Sequence, residues 1–158
     1  MSPEVTKSTQ KKIKEIIARY PKKQAAILPV IHLIQREKGF ISDEEEKLVA
    51  ELLGIKPVKV REVVTFYSML SQKPLGKYHI QVCSNLTCSI MGAERLIDYL
   101  SKKLGIKPGE TSDDGKFTLT TVECLGACEQ APNMMVNTDY YGHLDKEKID
   151  KILKELDE

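Results

Sequence analysis

The chain has 158 residues, 41% hydrophobic and 30% charged, with a net charge of +1. That length suits one medium domain or two small ones, the composition is that of a folded globular protein, and so small a net charge carries no nucleic-acid signal. The longest uncharged, mostly apolar run, Gln24 to Gln35, contains Pro29 and His32 and is too short to span a bilayer, so no direct membrane insertion is expected.

Charge is divided unevenly along the chain. Residues 1–75 carry a net of +5 and residues 76–158 a net of −4, which suggests two parts with different surfaces. The first part reads as helices. Ile13, Ile16, Ile17 and Tyr20 recur at helical spacing, and Pro21 ends the run. A second helix is expected from about Gln24 to Lys38, with Leu28, Ile31 and Ile34 inward and Gly39 as its stop. Ser42 and Glu45 have the spacing of a capping box, Leu48, Val49, Leu52 and Leu53 give the third helix its buried face, and Gly54 closes it. Pro57 opens a fourth helix expected to run through Tyr67. Residues 8–70 thus read as a small helical bundle.

The period then changes. Tyr78 to Val82 alternates like a strand and delivers Cys83; Ile90, Ala93, Leu96, Ile97, Leu100 and Leu104 mark a helix closed by Gly105. Asp113-Asp114-Gly115 is a turn, and Phe117 to Val122 is a strand leading to Cys124. Met134 to Asn137 and Tyr140 to Leu144 read as a hairpin pair, and Ile149, Ile152, Leu153 and Leu156 as a closing helix capped by Asp145. The order β-α-β-β-β-α is compatible with a thioredoxin-like α/β sandwich. Both cysteine pairs are then expected in loops following strands, where functional sites commonly lie.

The chemistry rests on four cysteines. Cys83 and Cys88 enclose four residues, Cys124 and Cys128 enclose three, and thirty-five residues separate the pairs. Two short thiol pairs from distant stretches suggest one shared ligand, and a [2Fe–2S] cluster takes two sulfurs on each iron. Zinc also accepts four thiolates, with knuckles usually reading C-x2-C to C-x4-C. Disulfides suit secreted chains, yet the opening MSPEVTKSTQKK lacks an apolar signal-peptide core. Four buried structural thiols are the plain alternative. Gly126 and Ala127 allow backbone to come close to an inorganic sulfide, with N–H groups free to bond sulfur. Neither loop has Lys or Arg between the cysteines. Reduction of an already anionic site then implies a low potential. His79 reads as a structural strand residue, His32 as a packed or partly exposed one, and His143 carries no signal. The chain shows no Ser–His–Asp set, HExxH motif or Gly-rich phosphate loop, hence no nicotinamide or flavin site of its own.

Cys83-x4-Cys88 and Glu123-Cys124-Leu125-Gly126-Ala127-Cys128-x-x-Ala131-Pro132 resemble the thioredoxin-like [2Fe–2S] ferredoxin subunit of NADH:quinone oxidoreductase, respiratory complex I, known in bacteria as the E-type subunit. Leu28 to Gln35 and Val64-Thr65-Phe66-Tyr67-Ser68-Met69-Leu70 resemble that family's N-terminal region, and the likeness runs from about Ile13 to Leu156. It implies an α+β chain: an N-terminal helical bundle over 1–75, then a thioredoxin-like β-α-β-β-β-α domain over 76–158. It implies one [2Fe–2S] cluster on Cys83, Cys88, Cys124 and Cys128, with no catalytic residue. It implies a partner, the F-type flavoprotein subunit of complex I, which binds FMN and NADH. The cluster would exchange single electrons with that FMN and hold one temporarily. Separately, the amphipathic helices and net charge of +5 over residues 1–75 suggest that part of the helical half docks the partner, the alternative being that it only completes the core. The expected location is cytoplasmic, in the peripheral arm on the cytoplasmic side of the inner membrane. Equivalent subunits of NAD-reducing hydrogenases and NAD-dependent formate dehydrogenases remain alternatives, and a zinc-stabilised adaptor without redox chemistry is a distant one. The spacing within each pair predicts Cys83 and Cys88 on one iron and Cys124 and Cys128 on the other.

Overall fold

Helix α1 (Lys7–Ala18) starts where the Thr6 hydroxyl accepts the Thr9 N–H at 3.2 Å. Of its expected stripe, Ile13 is fully buried, Ile16 and Ile17 are half-buried, and Tyr20 lies exposed beyond the helix end. The computed structural model describes residues 5–157. The described residues divide into two compact units, with the boundary between Pro74 and Leu75.

In the first unit the second helix starts later than its apolar run suggests. Lys23–Ala26 is a 3-10 turn, and α2 covers Ile27–Lys38. Its buried face is Ile27, Val30, Ile31 and Ile34, while Leu28 is only half-buried. Pro29 stands in the first turn, where its missing N–H costs nothing. Helix α3 (Asp43–Leu53) carries the expected capping box: Ser42 N–H donates to the Glu45 carboxylate at 3.0 Å while the Ser42 hydroxyl accepts from Glu45 N–H. Gly39 and Gly54 close α2 and α3 in the left-handed conformation. Helix α4 (Pro57–Phe66) stops one residue short of expectation, because Tyr67 is extended. One apolar core containing Ile13, Ile31, Ile34, Val49, Leu53, Val60 and Val64 holds the four helices together. Arg61 on α4 reaches back to Glu46 at 2.6 Å and to Asp43 on α3. Gln35 anchors the segment after α4 by donating to the Met69 carbonyl at 2.9 Å and accepting from Ser71 N–H at 2.8 Å.

The second unit is a five-stranded mixed sheet in the order β2-β3-β1-β4-β5. The strands are β1 (Tyr78–Cys83), β2 (Glu110–Thr111), β3 (Phe117–Val122), β4 (Met134–Val136) and β5 (Asp139–Tyr141). β1 is central, parallel to β3 and antiparallel to β4, so its second half is buried throughout instead of alternating. β2 is absent from the sequence reading because two residues are too short to show a period. The single expected helix over 90–104 is two: α5 (Leu86–Ile90) and α6 (Ala93–Leu104), broken at Met91 and Gly92. Ile90 therefore leaves the buried stripe and stands 74% exposed. Leu96 and Leu100 of α6 and Ile149, Ile152 and Leu153 of α7 (Lys146–Asp157) share one core with Ile80, Val82, Leu119 and Met134 of the sheet. Asp145 caps α7 by accepting from Lys148 N–H at 2.7 Å. Tyr99 and Lys103 on α6 both bond Asp150 on α7, at 2.6 and 2.7 Å. The architecture is the expected α+β one, helices first and a thioredoxin-like unit second. Among the described residues no helix is long and apolar enough to cross a membrane.

Candidate metal centre

The parallel pairing of β1 with β3 builds this site. Its last rung sets Cys83 opposite Val122, so the two strands deliver their following segments to one end of the sheet. Ser84 continues the contact, donating its N–H to the Val122 carbonyl at 2.9 Å. The segments 84–88 and 123–128 thus start side by side, although thirty-nine residues separate Cys83 from Glu123.

The four thiols do not all lie in loops, as the sequence suggests. Cys83 is the last residue of β1. Cys88 sits inside α5, whose N-terminus is capped by the Asn85 side chain accepting Leu86 N–H at 2.8 Å. Cys124 is in the segment after β3, and Cys128 opens a 3-10 turn, Cys128–Gln130. Cys83 and Cys88 are buried with Ala93 and Ala131, and Leu125 packs against them. Cys124 and Cys128 are exposed. The site therefore has a closed inner side and an open outer side. All four cysteines are free thiols, with no disulfide among them.

Several N–H groups point at sulfur. Gly126 N–H donates to Cys124 Sγ at 3.3 Å. That turn needs Gly126 at φ +72°, a left-handed conformation that a side chain disfavours. Burial pushes the Cys83 thiol up, but the backbone N–H groups of Asn85 and Leu125, with the Cys88 and Cys124 thiols, outweigh it and hold Cys83 below the ordinary thiol range. Cys88 moves the other way. Burial raises it most, the Asn133 N–H opposes, and the neighbouring Cys83 and Cys128 sulfurs add to the rise. Cys83 thus lies within reach of the Cys88 and Cys124 sulfurs, and Cys88 within reach of those of Cys83 and Cys128. Four such sulfurs, three of them receiving backbone N–H groups, form a donor set suited to a group bound by thiolates. Among the described residues, no three His, Cys, Asp or Glu side chains gather around a single ion position. A dinuclear cluster does not require that, since it takes two thiolates on each iron.

Sequence reasoning missed Asn133. It is 1% exposed. Its amide donates to the Ala127 carbonyl at 2.8 Å and to Cys88 Sγ at 3.4 Å, and its main-chain carbonyl accepts Cys83 N–H at 3.2 Å. The available signal was an asparagine in an otherwise apolar run, Ala131 to Val136, directly after the cysteine motif. His79 lies on β1, bonded to Thr120 Oγ1 at 2.8 Å, and burial pushes its imidazole down. His32 is half-buried on α2, and His143 has φ +48° after β5.

A family model for the thioredoxin-like [2Fe–2S] ferredoxin matches residues 13–157. The second E-type subunit of NADH-quinone oxidoreductase from Rhizobium meliloti is 43% identical over 145 residues, covering 92% of this chain and 86% of that protein. NADH-quinone oxidoreductase subunit 2 of Thermus thermophilus is 45% identical over 131 residues, 82% of this chain and 72% of that one. Among solved structures, an NAD+-reducing [NiFe]-hydrogenase in the air-oxidized state superposes with a TM-score of 0.70 at 20% identity, over 83% of this chain and 22% of that chain. This last likeness is one of fold. The chain belongs to the thioredoxin-like [2Fe–2S] ferredoxin family.

Proposed function

From that membership we propose that the chain is the electron-transfer subunit of an NADH-quinone oxidoreductase, holding one [2Fe–2S] cluster on Cys83, Cys88, Cys124 and Cys128. The observation that carries the proposal is the meeting of all four thiols at the shared end of β1 and β3, with N–H groups directed at their sulfurs. The names of the relatives support the complex. When bound, the cluster supplies reversible one-electron chemistry.

The chain's own residues do the rest. Buried Cys83 and Cys88 keep water from the inner side, while exposed Cys124 and Cys128 leave the outer side open to an electron partner. N–H groups from Asn85, Leu125, Gly126 and Asn133 stabilise anionic sulfur, which the apolar surroundings alone would disfavour. Cys83 and Cys88 serve one iron and Cys124 and Cys128 the other.

The partner is an F-type flavoprotein subunit that binds FMN and NADH, and single electrons pass between its FMN and this chain. The helical unit contributes to docking it. The chain binds no NADH itself, since it lacks a dinucleotide fingerprint. Its place is the cytoplasmic side of the inner membrane, in the peripheral arm of the complex.

A visible spectrum of the isolated protein tests the core of this reading. A reddish-brown protein that bleaches on chemical reduction, gives a [2Fe–2S] EPR signal and is not reduced by NADH until the flavoprotein is added agrees with it. A colourless protein containing zinc, or one binding NADH stoichiometrically alone, overturns it.

A further inference from the structure

We propose that Asn133 is a positioning residue that donates a side-chain hydrogen bond to the Cys88 sulfur and thereby raises the reduction potential of the group the four cysteines hold; this rests on the [2Fe–2S] reading above. Asn133 is 1% exposed, and both contacts of its amide nitrogen fall inside the site: Cys88 Sγ at 3.4 Å and the Ala127 carbonyl at 2.8 Å. The second contact settles the orientation of the amide. A carbonyl only accepts, so the atom 2.8 Å from it is the NH2 group and not the oxygen. With one N–H spent on Ala127, the other is available to sulfur. One residue thus ties α5, which carries Cys88, to the segment between Cys124 and Cys128. Its main-chain carbonyl accepts from Cys83 as well.

The other end of the amide shows that this arrangement has a cost. Asn133 Oδ1 is buried and has no hydrogen-bond partner among the described residues. An unsatisfied buried acceptor forfeits its hydration with nothing in return, and an apolar side chain of the same shape would avoid that loss. The neighbours Ala131 and Pro132 before it and Met134 after it are all buried, so an apolar residue suits this stretch. The amide is therefore placed for its donors. A donor facing a thiolate matters most when charge on the site increases. It stabilises the reduced form, with its extra electron, more than the oxidised one, and so raises the potential.

Asn133→Leu keeps the branched shape and removes both donors. Asn133→Met, with an unbranched chain that adapts to irregular space, is the second variant in case leucine prevents folding. The backbone N–H of residue 133 and all four thiols remain in both. The full-length protein and both variants are loaded with iron and sulfide, iron is counted, and each is titrated potentiometrically with EPR detection. The variants are expected to hold the cluster with the reduction equilibrium constant lowered about tenfold, which is about 59 mV for one electron. An unchanged potential in an iron-loaded variant overturns the proposal and leaves Asn133 a packing residue, whatever happens to its melting temperature. Loss of iron from both variants also overturns it, since the residue then serves assembly alone. A wild-type protein that takes up no iron refutes the cluster reading itself, a result told apart by being independent of position 133.

Discussion

Cys83 stands opposite Val122 on the last rung of the parallel β1–β3 ladder. Had β1 and β3 paired antiparallel, they would finish at opposite ends of the sheet. The parallel arrangement needs a crossover, here supplied by α5 and α6. In exchange, both strands finish at the same end, and the cysteines that follow them become neighbours.

On the proposed function, that arrangement predicts that Cys124 is indispensable to iron binding. Cys124→Ala should leave the sheet folded, since the side chain is exposed, yet iron content and visible absorbance should fall to the level of the unloaded protein. An undiminished [2Fe–2S] EPR signal in this variant would remove Cys124 from the ligand set.

Gly126 should be intolerant for a conformational reason. A Cβ built there meets nothing within 4 Å among the described residues, but φ is +72°. Gly126→Ala should therefore cost about 1–2 kcal/mol through backbone strain and not through a clash, and should disturb the N–H directed at Cys124. Denaturant unfolding with the cluster absent reads the first effect. An unchanged midpoint would show that the turn relaxes freely.

Gly142 makes the opposite case. A Cβ there would overlap Gln130 Cβ and lie 3.0 Å from the Gln130 carbonyl oxygen. Gln130 ends the turn that Cys128 opens, and its carbonyl accepts His143 N–H at 2.7 Å. Gly142→Ala should thus destabilise the second unit by about 1–3 kcal/mol through overpacking and displace the Cys128 turn. Combining it with Gln130→Gly should recover a measurable part of that loss. Strict additivity of the two changes would mean that they do not interact.

In the helical unit, Glu46 is buried, and burial pushes its carboxyl up, against the lowering influence of Arg61. A carboxyl with a raised folded pKa keeps a proton that the unfolded chain has released. Its contribution to stability is therefore lost as pH rises from the unfolded value through the folded one. Arg61→Ala removes the lowering influence and extends that window upward. The variant should lose more stability, relative to wild type, near pH 7 than near pH 4. A deficit equal at both pH values would show that Glu46 ionisation plays no part.

Local patterns were legible in the chain itself, because caps, turns and apolar periods act over a few residues. Ser42 with Glu45, Pro57 and Asp145 mark their helix ends in the sequence, and each does so in the structure. The spacing of Cys83, Cys88, Cys124 and Cys128 likewise named the candidate ligands. What spacing could not reveal depends on partners distant in sequence. The run through Ile90 reads as one helix, yet α5 turns to bury Cys88 and leaves Ile90 outside. β2 exists only because Glu110 and Thr111 find Leu119 and Thr118 across a turn. Asn133 looks like any polar residue until the sheet sets it against Cys88 and Ala127, forty-five residues and six residues away. The donor types at the site were thus written in the sequence, while their convergence, their N–H partners and the division into a buried and an exposed pair were decided by β1 and β3 pairing in parallel, a long-range choice that no local period encodes.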